Sequence, residues 1–233
     1  IDLVVDTGDI NDWGSPPESG YVEAIGTLGV PYVYVRGNHD SQVTATAVAK
    51  QSNAVVLDDR VATIRGLTIA GIGDPRFTPD KRDPDAAGPD ADPVRTSGQH
   101  LAATIATTGV PVHLAIVHDP VAAEPLNGVV PLVLAGHRHQ REVTVMDRRP
   151  GKPATRLMIE GSTGGAGLRG LEKDEPTSLQ MSILYFGPQR VLRAYDDITI
   201  GGTGRTDVTI QRQVLNPDQP QPGPSLSPSG SPR

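Results

Sequence analysis

Short apolar runs of strand length alternate with more polar stretches through the first part of the chain. Ile1 to Val5 and Val30 to Val35 are rich in β-branched residues and predict strands, and helices are predicted over Pro16 to Leu28 and from Ser41 through Lys50. Strands that alternate with helices are typical of α/β folds, in which side chains that carry chemistry gather at the carboxyl ends of the strands. The hydrophobic pattern therefore predicts where a functional site lies.

The middle of the chain continues with short strands and one further helix, over Ser97 to Thr107. The strands are predicted at Val55–Leu57, Val61–Ile64, Leu67–Ile72, Val112–Val117 and Pro131–Ala135. Asp74 to Pro93 is rich in Pro, Asp and Gly and poor in apolar residues, which predicts a long surface loop near the site.

Beyond residue 141 the pattern changes to short strands separated by polar turns, which predicts an antiparallel set that completes a second sheet. These strands are predicted at Glu142–Met146, Arg156–Ile159, Met181–Phe186, Val191–Tyr195 and Asp207–Gln211. Residues 216–233 are mostly Pro, Ser, Gln and Gly, so a disordered tail is expected after a domain of residues 1–215.

The amino-acid composition excludes several classes of partner and of active-site chemistry. The 233 residues carry a formal net charge of −6, and this mild acidity argues against nucleic acid as the main partner. The chain has no cysteine, which excludes disulfides, thiolate metal ligands and a cysteine nucleophile. No apolar run reaches the ~20 residues that span a bilayer. Because the chain begins at Ile1, within a predicted strand, we expect it to be part of a longer protein.

Four sequence blocks place oxygen or imidazole ligands directly after predicted strands. They are Gly8-Asp9, Gly37-Asn38-His39-Asp40, His118 and Gly136-His137-Arg138-His139. Taken singly, Gly8-Asp9 is more typical of a turn, and His118 is an ordinary strand end. His137 and His139 stand two residues apart and face the same side of an extended backbone, which is more typical of ligands than of packing. Together the blocks indicate one metal site assembled from distant parts of the chain.

Three other polar groups are weaker candidates. Gly73-Asp74-Pro75-Arg76 repeats the Gly-Asp theme, but Asp-Pro begins turns, so a structural role is favoured there. Arg76 is still a candidate for contact with substrate phosphate if its loop covers the site. His113 lies near the start of the strand that ends at His118 and is not favoured as a ligand, and His100 is expected at the surface of a helix.

The order Gly-Asp, Gly-Asn-His-Asp, His and Gly-His-Xaa-His resembles that of the calcineurin-like metallophosphoesterases, over residues from 1 to about 167. The resemblance implies an α/β sandwich of two sheets flanked by helices, with the family's first strand missing from this chain. It assigns a carboxylate that bridges two metal ions to Asp9, a ligand of the first metal to His139, and ligands of the second metal to Asn38, His118 and His137. Asn38 is also a candidate for substrate contact.

The resemblance also implies catalytic roles for two residues that bind no metal. His39 matches the histidine that sits near the scissile phosphate, and Asp40 is expected to hold that imidazole in orientation. The implied reaction is hydrolysis of a phosphoric mono- or diester, in which a hydroxide that bridges the two metals attacks phosphorus while His39 assists the leaving group. Oxygen and imidazole ligands suit Mn, Fe or Zn and do not choose among them.

One part of the family pattern has no match here. The family's Asp-Xaa-His motif supplies two ligands of the first metal, and neither Asp2 nor Asp6 has a histidine two residues on. We assign this omission to truncation. The chain is therefore expected to hold the second metal better than the first, and an inactive fragment is one expected outcome.

A different class of function stays open, namely a non-catalytic binding or regulatory module of a larger, membrane-anchored protein. Retention of His39 with Asp40 argues against it, because a scaffold does not need a histidine that binds no metal. Nucleotides, phospholipid headgroups, phosphoproteins and cell-wall phosphodiesters all fit such a centre as substrates. The frequent Ala, Gly, Pro and Arg give the impression of a bacterial protein, either cytoplasmic or membrane-associated.

Overall fold

The computed structural model describes residues 1–78, 91–164, 177–201 and 205–216. These residues form three β-sheets, two α-helices and two 3₁₀ helices. Residues 79–90 of the predicted loop and residues 217–233 of the predicted tail lie outside the described ranges. Among the described residues, no helix combines the length and the apolar character needed to cross a bilayer.

The first sheet contains three parallel strands in the order β1-β2-β3. The strands are β1 (Val4–Asp6), β2 (Tyr32–Tyr34) and β3 (Ala54–Val56), and helix α1 (Gln42–Ala49) connects β2 to β3. Ser41 caps α1 by accepting a hydrogen bond from the backbone N–H of Thr44.

The helix predicted over Pro16 to Leu28 forms as a 3₁₀ helix, Pro16–Thr27, between β1 and β2. Two prolines and two glycines among its twelve residues explain the difference from an α-helix. Proline lacks a backbone donor and glycine has a high conformational entropy, so both weaken the longer hydrogen-bond ladder. Glu18 closes a capping box with Ser15 at the start of this segment.

The second sheet has six strands in the order β4-β5-β6-β7-β9-β8. They are β4 (Arg60–Ile64), β5 (Leu67–Gly71), β6 (Leu114–Ile116), β7 (Leu132–Ala135), β8 (Glu142–Val145) and β9 (Arg156–Ile159). The central strands are parallel, and both edge strands are antiparallel to their neighbours. As predicted, β8 and β9 are antiparallel to each other and complete this second sheet. The prediction of an antiparallel set is incomplete, because β9 also pairs in parallel with β7.

Two helical segments cover the outer face of this second sheet. Helix α2 (Ala91–Thr107) begins six residues earlier than the predicted Ser97, so the predicted loop ends before Pro93. Pro93 lies in the first turn of α2, where backbone N–H groups have no acceptor within the helix, so the N–H that proline lacks is not needed there. Asp92 stabilises the same turn because its negative charge lies near the positive end of the helix dipole. The second 3₁₀ helix, Pro120–Leu126, follows β6.

The third sheet is an antiparallel meander of β10 (Leu179–Phe186), β11 (Leu192–Ile200) and β12 (Val208–Val214). All three strands are longer than predicted. Tyr195 of β11 is buried, and Leu184, Phe186 and Leu192 pack around the same core. The late antiparallel strands are therefore a real feature of the fold, and three of the five form a sheet of their own.

The core consists of layers separated by the sheets. One apolar cluster lies between the six-stranded sheet and the two three-stranded sheets, and two others lie beneath the outer helices. In β7, Leu132 and Leu134 face the inner cluster, whereas Val133 and Ala135 face α2 and the second 3₁₀ helix. The prediction of an α/β sandwich flanked by helices is confirmed.

Candidate metal centre

The candidate ligands lie at the carboxyl ends of strands from two facing sheets. Asp9 follows β1 and Asn38 follows β2, whereas His118 follows β6 and His137 follows β7. Within each sheet these strands are parallel neighbours, so their ends share one edge. Packing of the two sheets then brings the four side chains together across the top of the inner core.

Four donor atoms converge at this edge. Nε2 of His118 lies 3.2 Å from Oδ2 of Asp9, 3.0 Å from Oδ1 of Asn38 and 3.1 Å from Nδ1 of His137. Asp9, His118 and His137 form a group whose ligand atoms all lie within 4.8 Å of one another. Two oxygens and two imidazole nitrogens without a thiolate suit Mn, Fe or Zn, so the donor set fits a divalent transition metal.

Both imidazoles turn one nitrogen toward this cluster and the other toward an acceptor. Nδ1 of His118 donates to the carbonyl of Thr7 at 2.8 Å, which leaves Nε2 for the cluster. His137 has the opposite orientation, with Nδ1 in the cluster and Nε2 3.6 Å from Oδ2 of Asp119. An acceptor on the outer nitrogen is typical of histidines that bind metals, because it selects the tautomer.

Asp9 and His118 perturb each other strongly. Burial disfavours the charged imidazole of His118, but the hydrogen bond and the attraction to Asp9 outweigh that cost and raise its pKa to about 9. Burial acts to raise the pKa of Asp9, yet the same hydrogen bond holds that pKa well below its usual range. Proton and metal compete for the same Nε2, so a cation that binds here displaces the proton.

Direct backbone contact between two loops positions Asp9 beside Asn38. A Cβ on Gly8 would lie 2.5 Å from the backbone nitrogen of Gly37, and a Cβ on Gly37 would lie 2.3 Å from the backbone nitrogen of Asp9. Gly8 also has a φ of +95°, in a region that side chains rarely adopt. Neither glycine is replaceable without moving the loops apart.

Three of the candidate ligands have left-handed backbones. The φ angle is 63° at Asp9, 69° at His137 and 53° at His139. A positive φ is uncommon for residues other than glycine, and such strain concentrates at functional sites, where the surrounding structure maintains it. The strain therefore supports a functional reason for these loop conformations.

A comparison with models of protein families identifies the family to which this chain belongs. The family model for calcineurin-like phosphoesterases matches residues 1–141. The chain belongs to the calcineurin-like phosphoesterase family. The matched region contains β1 to β7 and all four candidate blocks. A comparison with curated proteins gave no match. The family acts on phosphoesters in general and depends on metals, and the cluster of Asp9, His118 and His137 is the candidate metal-binding group of this family member.

The expected role of Asp40 is wrong in one respect, since its carboxylate does not orient His39. Instead its Oδ2 accepts hydrogen bonds from the backbone N–H groups of Asp9 and Gly37 and from the hydroxyl of Tyr34, at 2.7–2.9 Å. Its Oδ1 accepts from the backbone N–H of Asn11 at 3.1 Å. Asp40 is fully buried and therefore acts as an anchor that holds two ligand loops together.

His39 is oriented by a backbone carbonyl. Its Nδ1 lies 2.8 Å from the carbonyl oxygen of Asp12, and because a carbonyl only accepts, Nδ1 carries the proton. Nε2 is then the nitrogen that remains for chemistry. The backbone N–H of His39 donates to Oδ1 of Asp9 at 2.9 Å, which ties the histidine loop directly to the candidate bridging carboxylate.

Asn38 is oriented by a residue that the sequence did not single out. Its Nδ2 donates to the hydroxyl of Thr78 at 2.6 Å, and the backbone N–H of Thr78 donates to the carbonyl of Asn38 at 2.8 Å. These contacts turn Oδ1 of Asn38 toward the two histidines. Thr7, Asp12 and Thr78 escaped sequence reasoning because their contacts use backbone carbonyls or join distant segments.

Arg76 lies among carboxylates. Its Nε and Nη2 donate to Asp74 at 2.9 and 2.7 Å, and Nη2 also donates to Asp119 at 2.7 Å. The structural role expected for the Gly73–Arg76 stretch agrees with these contacts. A direct contact between Arg76 and substrate stays a prediction.

The remaining histidines lie outside the cluster. His139 is exposed and, among the described residues, does not belong to the group within ligand distance, so its assignment to a first metal stays a prediction. His113 accepts a hydrogen bond from the backbone of Thr68 through Nδ1, and His100 is exposed on α2. Arg138 points to solvent and pairs with Glu142 at 3.3 Å.

Proposed function

We propose that this chain hydrolyses phosphoric mono- or diesters with the help of two divalent cations. The observation that carries the proposal is the convergence of Asp9, Asn38 and His137 on His118, with one donor atom of each lying 3.0–3.2 Å from Nε2 of His118. Polar side chains packed this closely, two of them on strained backbones, lower the stability of the fold unless a ligand binds them. The family match supports the same class of chemistry.

The residues at the carboxyl ends of these strands have two kinds of role: several would be ligands of the cations, and one would transfer a proton. Asp9, Asn38, His118 and His137 would hold one cation, and His139 with Asp9 would contribute to a second. Oδ1 of Asp9 accepts only from the backbone of His39 among the described contacts and keeps a second lone pair, as a bridging carboxylate requires. Divalent cations in such a site supply Lewis acidity toward phosphate oxygens and lower the pKa of a bound water.

His39 is assigned to the leaving group. As the water oxygen forms its bond to phosphorus and the bond to the ester oxygen breaks, the leaving oxygen gains negative charge and needs a proton. Nε2–H of protonated His39 is the donor, because Nδ1 is held by Asp12 and keeps the ring in a fixed orientation. Asp40 contributes indirectly, since it maintains the loop on which His39 stands.

The test uses the full chain, bis(p-nitrophenyl) phosphate and p-nitrophenyl phosphate, with Mn²⁺ or Zn²⁺ added. We expect cation-dependent release of p-nitrophenol, and a loss of about 10²–10⁴-fold in kcat for His39→Gln with bound metal unchanged. Asp9→Asn should lose both metal and activity. Turnover that is independent of added cation, or unaffected by His39→Gln, contradicts the proposal.

The rival is a module that binds cations or phosphate without turnover. Bound metal in the wild-type chain with no hydrolysis of either ester favours this rival. A variant extended at its N-terminus by a strand that carries the family's Asp-Xaa-His motif is the decisive comparison, because it would supply the two ligands of the first metal that the motif provides. If it also binds metal without hydrolysis, the enzymatic proposal fails.

A further inference from the structure

Three charged residues behind His137 have no direct place in the proposed reaction. Asp119, Arg76 and Asp74 form a continuous series of ion pairs that begins at the outer nitrogen of His137. All three side chains are largely buried, with exposed fractions of 9%, 22% and 0%. Buried charges are costly unless they are paired, so their position requires an explanation.

Asp119 is held so that one oxygen faces His137. Its Oδ1 accepts from the backbone N–H of Val121 at 2.9 Å and caps the second 3₁₀ helix. Its Oδ2 is therefore directed elsewhere and lies 3.6 Å from Nε2 of His137 and 2.7 Å from Nη2 of Arg76. A shift of a few tenths of an ångström makes the first of these contacts a hydrogen bond.

Arg76 ties Asp119 to the loop after β5. Both oxygens of Asp74 accept from Arg76 in a two-pronged ion pair, a geometry that fixes the guanidinium plane. Asp74 is itself anchored, because its backbone N–H donates to the carbonyl of Arg36 at 2.8 Å. The series thus connects the segment just before Gly37 and Asn38 to the imidazole of His137.

Asp119, Arg76 and Asp74 together carry a net negative charge, which favours a cation bound nearby. Two carboxylates share one guanidinium, so the network has a net charge of −1 on the side of His137 away from the ligand cluster. Among the residues that the structure describes, Asp9 is the single carboxylate in that cluster, and it leaves a bound divalent cation with excess positive charge. A negative network behind a histidine ligand balances this charge and strengthens the nitrogen as a donor.

We propose that Asp119, held by Arg76 and Asp74, is a positioning residue that keeps the proton of His137 on Nε2 and presents Nδ1 to the cation. This inference rests on cation binding as part of the proposed function. Asp119 and Asp74 touch neither substrate nor metal in this assignment, and Arg76 acts on His137 through Asp119. Their contribution is to the affinity of the site and to the tautomer of His137.

The experiment measures Zn²⁺ binding by calorimetry on the chelator-treated full chain and on Asp119→Asn. An asparagine keeps the shape, but no orientation of its amide caps Val121, accepts from Arg76 and faces His137 Nε2–H. We expect Zn²⁺ affinity to fall about 10–100-fold.

Glu124→Gln is the matched control. Glu124 belongs to the same 3₁₀ helix and pairs with Arg95 at 2.7 Å, the distance of the Arg76–Asp119 pair, but that pair is at the surface. Its Zn²⁺ affinity should equal that of the wild type within twofold. Equal losses in Glu124→Gln and Asp119→Asn would show that only the stability of this region was changed, and would overturn the inference.

Nitrogen-15 NMR of the imidazoles supplies a readout that a purely structural role does not affect. Long-range proton–nitrogen spectra, with the His137 signals identified by their loss in His137→Gln, should show the Nε2–H tautomer in the wild type and a mixture in Asp119→Asn. An unchanged tautomer, or Zn²⁺ affinity equal to wild type, overturns the inference. Zn²⁺ binding without ester hydrolysis would instead favour the non-catalytic rival and leave this inference standing, whereas absence of Zn²⁺ binding in the wild type overturns both.

Discussion

The contact between Gly8 and Gly37 offers the sharpest test of how the ligand loops are assembled. Gly8→Ala combines two penalties, a left-handed backbone and a Cβ that would lie within 2.5–2.9 Å of the backbone of Gly37 and Val35. The backbone penalty is about 1–2 kcal/mol, and overpacking adds about 1–3 kcal/mol. Gly29→Ala isolates the first penalty, because Gly29 has a φ of +69° and no atom within 4 Å of its added Cβ.

We therefore expect Gly8→Ala to lower the free energy of unfolding by about 1–3 kcal/mol more than Gly29→Ala does. Denaturant titration of the chelator-treated proteins measures this difference. Because relief of the clash moves Asp9 away from Asn38, Zn²⁺ affinity should fall in Gly8→Ala and stay unchanged in Gly29→Ala. Equal stability losses with Zn²⁺ binding retained in both variants would refute the argument that backbone contact assembles the site.

Three further predictions concern residues around the cluster. Asp40→Asn keeps the size of the side chain but leaves at least one buried N–H unsatisfied, so it should cost about 1–3 kcal/mol in denaturant titration and weaken Zn²⁺ binding; unchanged affinity would contradict the anchoring role. Thr78→Val removes the acceptor of the Asn38 amide and should lower Zn²⁺ affinity about fivefold, whereas Thr78→Ser should not. The pKa of His118 is raised to about 9, so its contribution to the stability of chelator-treated protein is complete below its ordinary pKa and is lost as pH rises through about 9. That decline is about 3 kcal/mol between pH 6.5 and 9, and His118→Asn should flatten it in urea titrations across this range; an unchanged slope would show that His118 is not its source.

The sequence predicted the location of the site well, because the signals are local. Asp9, Asn38, His118 and His137 each follow an apolar, β-branched run, and parallel strands must end at a common edge. Chain order and strand type were enough to expect them together. The same local signals identified the late antiparallel strands and helix α1, which was predicted from Ser41 through Lys50.

The errors share a physical cause, which is that they depend on partners distant in the chain. Asp40 follows His39 directly, yet its carboxylate meets the backbone around Asp9, thirty-one residues away, and leaves the neighbouring imidazole to Asp12. β8 and β9 have the short, polar-bounded pattern of a meander, but β9 lies beside β7 and extends the parallel sheet. A local pattern specifies a strand and its two faces without naming its neighbour.

For this member of the calcineurin-like phosphoesterase family, the sequence by itself determined the class of fold, the family and the four side chains that meet at the strand ends. The period of the hydrophobic residues and the types of neighbouring residues involve only a few adjacent positions, so they can be recognised in the sequence alone. Only the tertiary structure decided which nitrogen of each histidine faces the cluster, that Asp40 is an anchor, and that Arg76 stands behind His137 between two carboxylates. Those features depend on contacts between loops from both sheets, and the packing of the inner core brings these loops together.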